Sequence, residues 1–393
     1  MLKSFICSRL RQQGFITLAL LTALSTAGLL AVTAPVLPYL LGFHPADLEH
    51  HPVYCTAQTP KIKPGEPIKV LDWNIQFLAG GYYPFWHSDF NLPLLTEGDI
   101  QKNLEGIVRV IREENPDIIQ LQEVHRTHPL TFHKDQVKML HGRLADILPC
   151  YSVGTYWKAH FIPSRYMTGQ IEMSLVTMSR YRMDRATTET LPSTRRMRIL
   201  VPFYPRHSLL ETRFPLEGGG FFSTINTHLD APTLGRGDMS GQVHTLLTRV
   251  TRWTERRRLW MLSGDFNILP PGFYDNLPEN QKAHYTSYSP LTPFYQNFKG
   301  IPELNDVLGP NGHQWLTAYD LNPELDLVID YIFHPHYIHS ENSAVKHVPL
   351  DLSDHMPVIT TLKLKPESQG LLSSIIKPQK TVEVRERSPD DKN

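Results

Sequence analysis

The stretch Leu259-Trp260-Met261-Leu262-Ser263-Gly264-Asp265-Phe266-Asn267 is an apolar run that ends in an acid and an amide two residues apart. In extended backbone those two side chains share one face, because side chains alternate along a strand. Taken alone, a Gly-Asp after a strand reads as a turn, since Asp and Asn hydrogen-bond the local backbone and Gly supplies positive φ. Its weight comes from other acids, amides and histidines that sit at similar places elsewhere in the chain.

Upstream, Ile68-Lys69-Val70-Leu71-Asp72-Trp73-Asn74-Ile75-Gln76 reads as a buried strand with Asn74 near its carboxyl end. Ile100, Leu104, Ile107, Val108 and Ile111 recur at helical spacing, and Asn115-Pro116 ends that helix. Asp117-Ile118-Ile119-Gln120-Leu121-Gln122-Glu123-Val124 follows as a short apolar strand carrying Glu123 at its end. Strand, helix and strand with tight connections is an α/β signature. A second amphipathic helix carries Val137, Leu140, Leu144 and Ile147 on one stripe; 150–170 reads as aromatic and irregular, and 171–178 returns to strand.

Between 196 and 230 the pattern is antiparallel strands at 198–204, 208–214 and 220–228, the last after the turn Glu217-Gly218-Gly219. It ends Ile225-Asn226-Thr227-His228-Leu229-Asp230. A helix with Met239, Val243, Leu246, Val250 and Trp253 leads to the opening stretch, which Pro270-Pro271-Gly272 stops. After a loop-rich region to about 320, two further strands are expected at 326–333 and 356–362, with Ser353-Asp354-His355 entering the second. No internal repeat is visible, although two similar halves of diverged sequence stay open.

The chain has 393 residues and balances 39 basic against 39 acidic side chains. Lys3, Arg9 and Arg11 are the only charges in the first fourteen residues, so the remainder is net negative by three. That excludes the bulk basic footprint behind non-specific DNA affinity. Two local runs exist, Arg195, Arg196 and Arg198, and Arg256-Arg257-Arg258, each read first as a solvated face.

From Phe15 to Phe43 no residue is charged. That is long enough to cross a bilayer, which takes about twenty apolar residues. The flanking cations favour a cytoplasmic N-terminus, and the readings are a retained anchor, favoured here, or a cleaved signal peptide. Either way the rest of the chain is exported. Expected units are a basic tail (1–14), the transmembrane or signal segment (15–42), a Pro- and His-rich stalk (43–67), one large domain (68–365) and a polar, disordered tail (366–393). Cys55 and Cys150 lie beyond the apolar run; a disulfide and free buried thiols both remain open. The aromatic stretch Tyr82-Tyr83-Pro84-Phe85-Trp86 is read as a packed cluster under an insertion or as a lid or lipid-contacting loop.

Glu123, Asp265, Asp330 and Asp354 are carboxylates at strand ends, accompanied by Asn74, Asn267, His228 and His355. A hard divalent cation wants oxygen ligands, and Mg²⁺ usually takes one or two carboxylates plus water and substrate phosphate. The chain has 19 histidines but no His-Glu-x-x-His and no paired cysteines of a zinc site, and no Gly-x-Ser-x-Gly elbow of a serine hydrolase. Singly, each of these residues reads as a cap, a turn or a satisfied core group.

Their order is more specific. Strand-Asn, strand-Gln-Glu, Asn-Thr-His, Gly-Asp-Phe-Asn, Ile-Asp-Tyr-Ile and Ser-Asp-His in succession resembles the endonuclease/exonuclease/phosphatase superfamily, with its deoxyribonuclease-I-like, neutral-sphingomyelinase-like fold, over about 68–365. The resemblance implies an α/β (α+β in some schemes) four-layer sandwich of two mostly antiparallel sheets flanked by helices. It implies an Mg²⁺-dependent phosphodiesterase, Mn²⁺ substituting, in which Glu123 matches the principal metal ligand, Asn74 supports the metal and phosphate site, and Asp354 is the metal-side aspartate. Asp265 matches the residue that places or activates the attacking water, and Asn267 the donor to a phosphoryl oxygen. His228 matches a candidate acid for the leaving oxygen, His355 a phosphate-contacting or base histidine, and Asp330 the carboxylate that orients it; Asp326 lacks the Ile-Asp-Tyr context. One departure is the stretch Gly169-Gln170-Ile171-Glu172, where the family often has a Gly-Asn-Ala-type sequence.

Members of this superfamily act on DNA, RNA, inositol phosphates and sphingomyelin. The apolar segment and the charge balance move the expectation towards a phospholipid head group. An exported nuclease, using the two arginine runs, and a non-catalytic binding protein are the alternatives.

Overall fold

The computed structural model describes residues 2–55, 58–81, 95–162, 169–192, 204–232, 239–319 and 326–364. The aromatic stretch at 82–86, the arginines 195, 196 and 198, most of the strand expected at 198–204 and the polar tail lie outside them. In chain order the main elements are α1 (Leu2–Leu41), β1 (Leu48–His51), β2 (Val53–Tyr54), β3 (Pro67–Asn74), α2 (Glu97–Glu114), β4 (Ile118–Thr127), α3 (Gln136–Leu144), β5 (Cys150–Ile162), β6 (Gly169–Ser179) and β7 (Arg185–Thr190). They continue with β8 (Ser208–Pro215), β9 (Phe221–His228), α4 (Ser240–Glu255), β10 (Leu259–Asp265), β11 (Lys299–Ile301), β12 (Asp330–His334), β13 (Ile338–Val345) and β14 (Val358–Leu364). Short helical turns fill much of the chain between β10 and β12.

Two seven-stranded sheets form, one in the order β1-β7-β8-β9-β10-β12-β11, the other β13-β14-β3-β4-β6-β5-β2. Among the described residues each sheet has one parallel strand pair, β9 with β10 and β3 with β4, and its other strand pairs are antiparallel. Read from β11 and from β13, the two sheets have the same sequence of pairings, so two similar halves do exist at the level of topology.

Local chemistry explains the elements that position the centre. Thr96 and Asp99 form a reciprocal capping box that starts α2, whose apolar stripe Ile100, Leu104, Ile107 and Ile111 is buried. Asn115 closes that helix in the left-handed region at φ 45°, which Asn tolerates. On α4, Val243, Leu246, Val250 and Trp253 pack into the core beneath β10.

The layer between the sheets is partly polar. Ser263 Oγ donates to Asp72 Oδ1 at 2.6 Å, Gln122 Nε2 donates to Asp72 Oδ1 at 3.0 Å and to Asn226 Oδ1 at 2.8 Å, and Asn226 Nδ2 donates to the carbonyls of Leu121 and Val176. Buried networks of this kind pin one sheet's register against the other; Asp72 Oδ2 and Gln122 Oε1 have no partner in it, and burial holds the Asp72 pKa well above the ordinary carboxylate range.

Two segments differ from the sequence-based expectation. The 43–67 stretch pairs from Leu48 onward: β1 adds to the edge of one sheet, β2 to the other, and Cys55 is disulfide-bonded to Cys150. Its strands are short and half-exposed, which removes the apolar periodicity that marks a strand. The stretch from Cys150 is the thirteen-residue strand β5, not irregular. Its burial alternates from Cys150 to Tyr156, but small or polar Ser152 and Gly154 take buried places while Tyr151 and Val153 are half-buried, so hydrophobicity does not alternate with it.

Candidate active site

Four of the eight residues singled out by sequence stand at the carboxyl ends of the two parallel pairs. Asn74 closes β3 opposite Gln122 of β4, and Asp265 closes β10 opposite His228 of β9. Glu123 follows Gln122 at φ 55°, inside a register shift between Leu121 and Val124. Such a bulge re-aims one side chain out of the strand's alternation, and here it turns Glu123 towards Asn74.

Asn74 Nδ2 donates to Glu123 Oε1 at 3.2 Å and to Asp265 Oδ2 at 3.1 Å, while its Oδ1 accepts the Gln76 amide at 3.0 Å. It thus joins a carboxylate of each sheet. Asp265 and Asn267 meet through turn chemistry: Asn267 sits at φ 54° and its amide donates to Asp265 Oδ1 at 2.8 Å. Strand alternation therefore does not place Asn267; its left-handed backbone does.

His228 lies 3.5 Å from Asp265 Oδ2 and 4.0 Å from Glu123 Oε1 through Nε2. Its hydrogen bonds close in one way without conflict. Tyr156 O–H donates to Met173 Sδ, His228 Nδ1–H donates to Tyr156 Oη at 3.2 Å, and Asn267 Nδ2 donates to His228 Nε2 at 3.2 Å. Burial pulls the His228 pKa down to about 4, so at neutral pH the ring is uncharged.

His355 has the opposite character. Its Nδ1 lies 2.9 Å and 3.1 Å from the two oxygens of Asp330, and Nε2 faces Asp265 Oδ2 at 3.6 Å and Asp354 Oδ1 at 4.0 Å. Burial alone would lower its pKa, but Asp330, Asp265 and Asp354 together raise it well above the usual histidine range. The segment is tied to β3, since Ser353 Oγ donates to the Asn74 carbonyl at 2.8 Å and Trp73 Nε1 to that of His355 at 2.8 Å. Asp326 accepts from Gln281 Nε2 at 3.2 Å; Asp330 is the carboxylate that holds His355.

The carboxylates crowd one another. Burial, then Asp354, pushes Glu123 up to about 8, and burial pushes both Asp330 and Asp354 up to about 6 despite the His355 charge. Glu123 Oε2 is buried without a hydrogen-bond partner. Donor atoms of Asp265, Asp330 and His355 lie within 4.8 Å of one another, but the Asp330–His355 hydrogen bonds occupy two of that trio. Glu123, Asp265 and Asp354 bring further carboxylate oxygens to the cluster, Asp265 and Asp354 facing His355 Nε2.

Sequence reasoning missed Tyr156 and His207. The first contacts His228 Nδ1, and the second accepts nothing from a motif but joins His228 O through Nδ1 at 2.6 Å and Asp230 Oδ1 through Nε2 at 2.9 Å. Tyr156 was legible only by treating 150–162 as a strand; His207 carried no signal. The arginine run 256–258 precedes Leu259, at the far end of β10 from Asp265, with Arg257 over Tyr337 and Arg258 over Phe221 and Trp253. It does not line the groove with His228.

The chain's fold and its relatives agree. The family model described as Endonuclease/Exonuclease/phosphatase family matches residues 73–355. No curated protein matches the chain. Among solved structures, an endonuclease/exonuclease/phosphatase from Beutenbergia cavernae DSM 12333 is 21% identical at a TM-score of 0.54, over 76% of this chain and 72% of that one. ANGEL2, a 2′,3′-cyclic phosphatase, is 14% identical at a TM-score of 0.50, over 81% of this chain and 99% of that one. These likenesses are of fold. With a match running from Trp73 to His355, the chain belongs to the endonuclease/exonuclease/phosphatase family.

Proposed function

We propose that this protein is a divalent-metal-dependent phosphodiesterase that uses water to hydrolyse a phosphodiester, with a phospholipid head group as the first substrate class. The observation that carries the reading is the meeting, across two sheets, of Asn74, Glu123, His228 and Asp265 with the Asp330–His355 pair.

The donor set suits a hard cation. Buried Glu123 and Asp265 and half-buried Asp354 offer oxygens, with Glu123 Oε2 unpartnered, a donor set that suits Mg²⁺ or Mn²⁺ better than zinc. Glu123 and Asp354 would hold the ion; Asn74, its amide oxygen already accepting Gln76, orients Glu123 and Asp265 beside it. When bound, the ion supplies positive charge to phosphoryl oxygens as negative charge accumulates on them.

The chain's own groups account for the rest. His355, held by Asp330, presents a cationic Nε2–H that hydrogen-bonds a phosphoryl oxygen. Asp265 Oδ2 lies within 3.5–3.6 Å of both histidines and orients the attacking water. Asn267 Nδ2 donates to the phosphate once His228 Nε2 turns to the substrate. His228 is neutral at rest with its proton on Nδ1, so Nε2 is an acceptor: it can take a proton from the attacking water, and it gives one to the leaving oxygen only after taking one up. In-line phosphoryl chemistry gains mainly from such positioning and charge stabilisation.

The test is hydrolysis of bis(p-nitrophenyl) phosphate by the detergent-solubilised chain. Activity that EDTA abolishes and Mg²⁺ restores supports the reading. Restoration by zinc and not by magnesium, or no hydrolysis by folded protein, refutes it.

A further inference from the structure

We propose, building on the phosphodiesterase reading, that the site opens towards the bilayer that holds α1 and that its substrate is a phosphodiester presented at that membrane surface. The inference comes from where the chain leaves the apolar helix and which end of the sheet it joins first.

Within α1, the window Phe15–Thr33 is apolar enough to span a membrane. The helix continues eight residues further to Leu41, about 12 Å at 1.5 Å per residue, which reaches through the head-group region. The chain is fixed to the folded domain again by Ala46, whose carbonyl accepts Thr190 Oγ1 at 3.1 Å, and by Asp47, whose carbonyl accepts the Thr190 amide at 3.0 Å. Five residue steps separate Leu41 from Ala46, a leash of at most about 18 Å, further stiffened by Pro45.

The register then shows which end is leashed. Leu48 pairs with Glu189, Glu189 with Leu209, Leu209 with Thr227 and Thr227 with Gly264. The next residue along this row is His228 on β9 and Asp265 on β10. The leash therefore enters at the row beside the site, four strands away, or about 19 Å at 4.8 Å per strand. Only afterwards does β1 carry the chain to the opposite end, where β2 pairs with the start of β5 and Cys55 meets Cys150. Leu48 exposes 52% of its surface at the entry point, an apolar side chain on the side where a bilayer would lie. Of the arginines at the opposite end, Arg213 pairs with Asp184, Arg257 stacks on Tyr337 and Arg258 on Phe221 and Trp253, which leaves those three less free to seek an anionic membrane.

A nucleic acid in solution gains nothing from this geometry, whereas a lipid phosphodiester is delivered to the site's mouth by lateral diffusion. Two measurements on the full chain in vesicles test the proposal. In a Cys7→Ser background, a donor dye is placed by Ala231→Cys, just past His228, or by Glu217→Cys, in the turn at the other end of β9, and energy transfer to a head-group-labelled lipid is measured. The two positions differ by roughly 25–30 Å along the strand direction at about 3.3 Å per residue. Transfer at least twofold stronger from position 231 is expected; equal or weaker transfer overturns the orientation.

The second measurement inserts (EAAAK)₄, a spacer of about 30 Å, between Phe43 and His44. Hydrolysis of phosphatidylcholine and sphingomyelin in the same vesicle should fall at least tenfold while soluble bis(p-nitrophenyl) phosphate turns over as before. An unchanged ratio overturns the proposal, as does a preference of the unmodified chain for plasmid DNA over vesicle lipid. Failure of the unmodified chain on the soluble diester refutes the phosphodiesterase reading itself, and energy transfer still reports the orientation. Recovery of the membrane-extracted chain without residues 1–42 also overturns the proposal.

Discussion

Gly264→Ala is expected to cost about 3–6 kcal/mol of stability, far more than a glycine substitution of similar backbone strain elsewhere in the same chain. Gly264 has φ 145°, a conformation L-residues rarely adopt, which by itself costs about 1–3 kcal/mol. A Cβ there would lie 1.9 Å from the Thr227 carbonyl oxygen of the paired strand, where real contacts stay beyond 3.0 Å. Relief requires β9 and β10 to part by more than 1 Å at this row. That stretches the neighbouring ladder bonds past hydrogen-bonding distance, and each buried group left unpaired adds about 1–3 kcal/mol. The control is Gly272→Ala: φ is 82°, but the new Cβ meets only Leu308 Cδ1 at 3.2 Å, a side-chain end that can shift, so about 1–2 kcal/mol is expected. Urea unfolding followed by tryptophan fluorescence measures both. If the two variants lose the same stability within 1 kcal/mol, the strand-clash argument is wrong. Because Asp265 and His228 flank the clash, Gly264→Ala protein that folds should also hydrolyse diesters far more slowly than Gly272→Ala.

Other consequences are measurable. Asp330→Asn removes the nearest of the charges that raise the His355 pKa, so the alkaline limb of the kcat/KM profile should move to lower pH, and His355→Ala should reduce turnover by orders of magnitude in a folded protein. The ring pair His125–His128, 4.3 Å apart and buried, is held neutral, with burial bringing His128 to about 3 and His125 also well down. The unfolded chain binds protons below about pH 6.5 while the folded one does not, so stability is full above 6.5 and falls as pH drops towards 3. At pH 5 His128 alone accounts for a loss of about 2 kcal/mol. His128→Asn, which can still cap the Leu130 amide, should flatten the difference between urea midpoints at pH 7.5 and 5. Removing the Cys55–Cys150 bond by Cys55→Ser with Cys150→Ala should cost about 3–5 kcal/mol, since it closes a loop spanning 95 residues; reductant should then no longer shift the wild-type-like transition.

What was legible in the sequence follows from what each residue needed. Asn74 and Asp265 end stretches rich in apolar residues and His228 ends one rich in aromatic and β-branched residues, compositions that announce a strand on their own. Glu123 was found by its place after such a run, but its direction depends on the bulge at Gln122–Glu123, which no residue type encodes. Asn267 stands beside Asp265 for a reason that strand alternation does not give: an Asx turn with left-handed backbone brings the two together. Tyr156 and His207 were invisible because they reach His228 from strands and loops distant in sequence, through contacts that only the packed sheets create. β1 and β2 were hidden for the reverse reason, being edge strands too short and too wet to carry a pattern.

The recurrence of one motif form, an apolar run closed by a polar residue, has a topological cause. In an antiparallel sheet adjacent strands end on opposite sides, so two neighbouring carboxyl ends meet only where the sheet contains a parallel pair. Among the described residues there are two such pairs, β3 with β4 and β9 with β10, one per sheet and at matching places in the strand order. Packed face to face, they bring four carboxyl ends to one side of the sandwich, and the inter-sheet bonds of Asp72, Gln122, Asn226 and Ser263 hold them in register one or more residues below the site. Asp330, opposite Asp265 on β12, and the His355 segment, bonded to the end of β3, then complete the ring from the antiparallel neighbours. Shifting either parallel pair by one residue would turn its polar end group away from the seam. The buried polar layer is thus expected to matter for activity as well as stability: Asn226→Leu, which touches none of the proposed catalytic groups, should slow diester hydrolysis more than its effect on the unfolding midpoint accounts for, and proportionate losses in both would refute this last step.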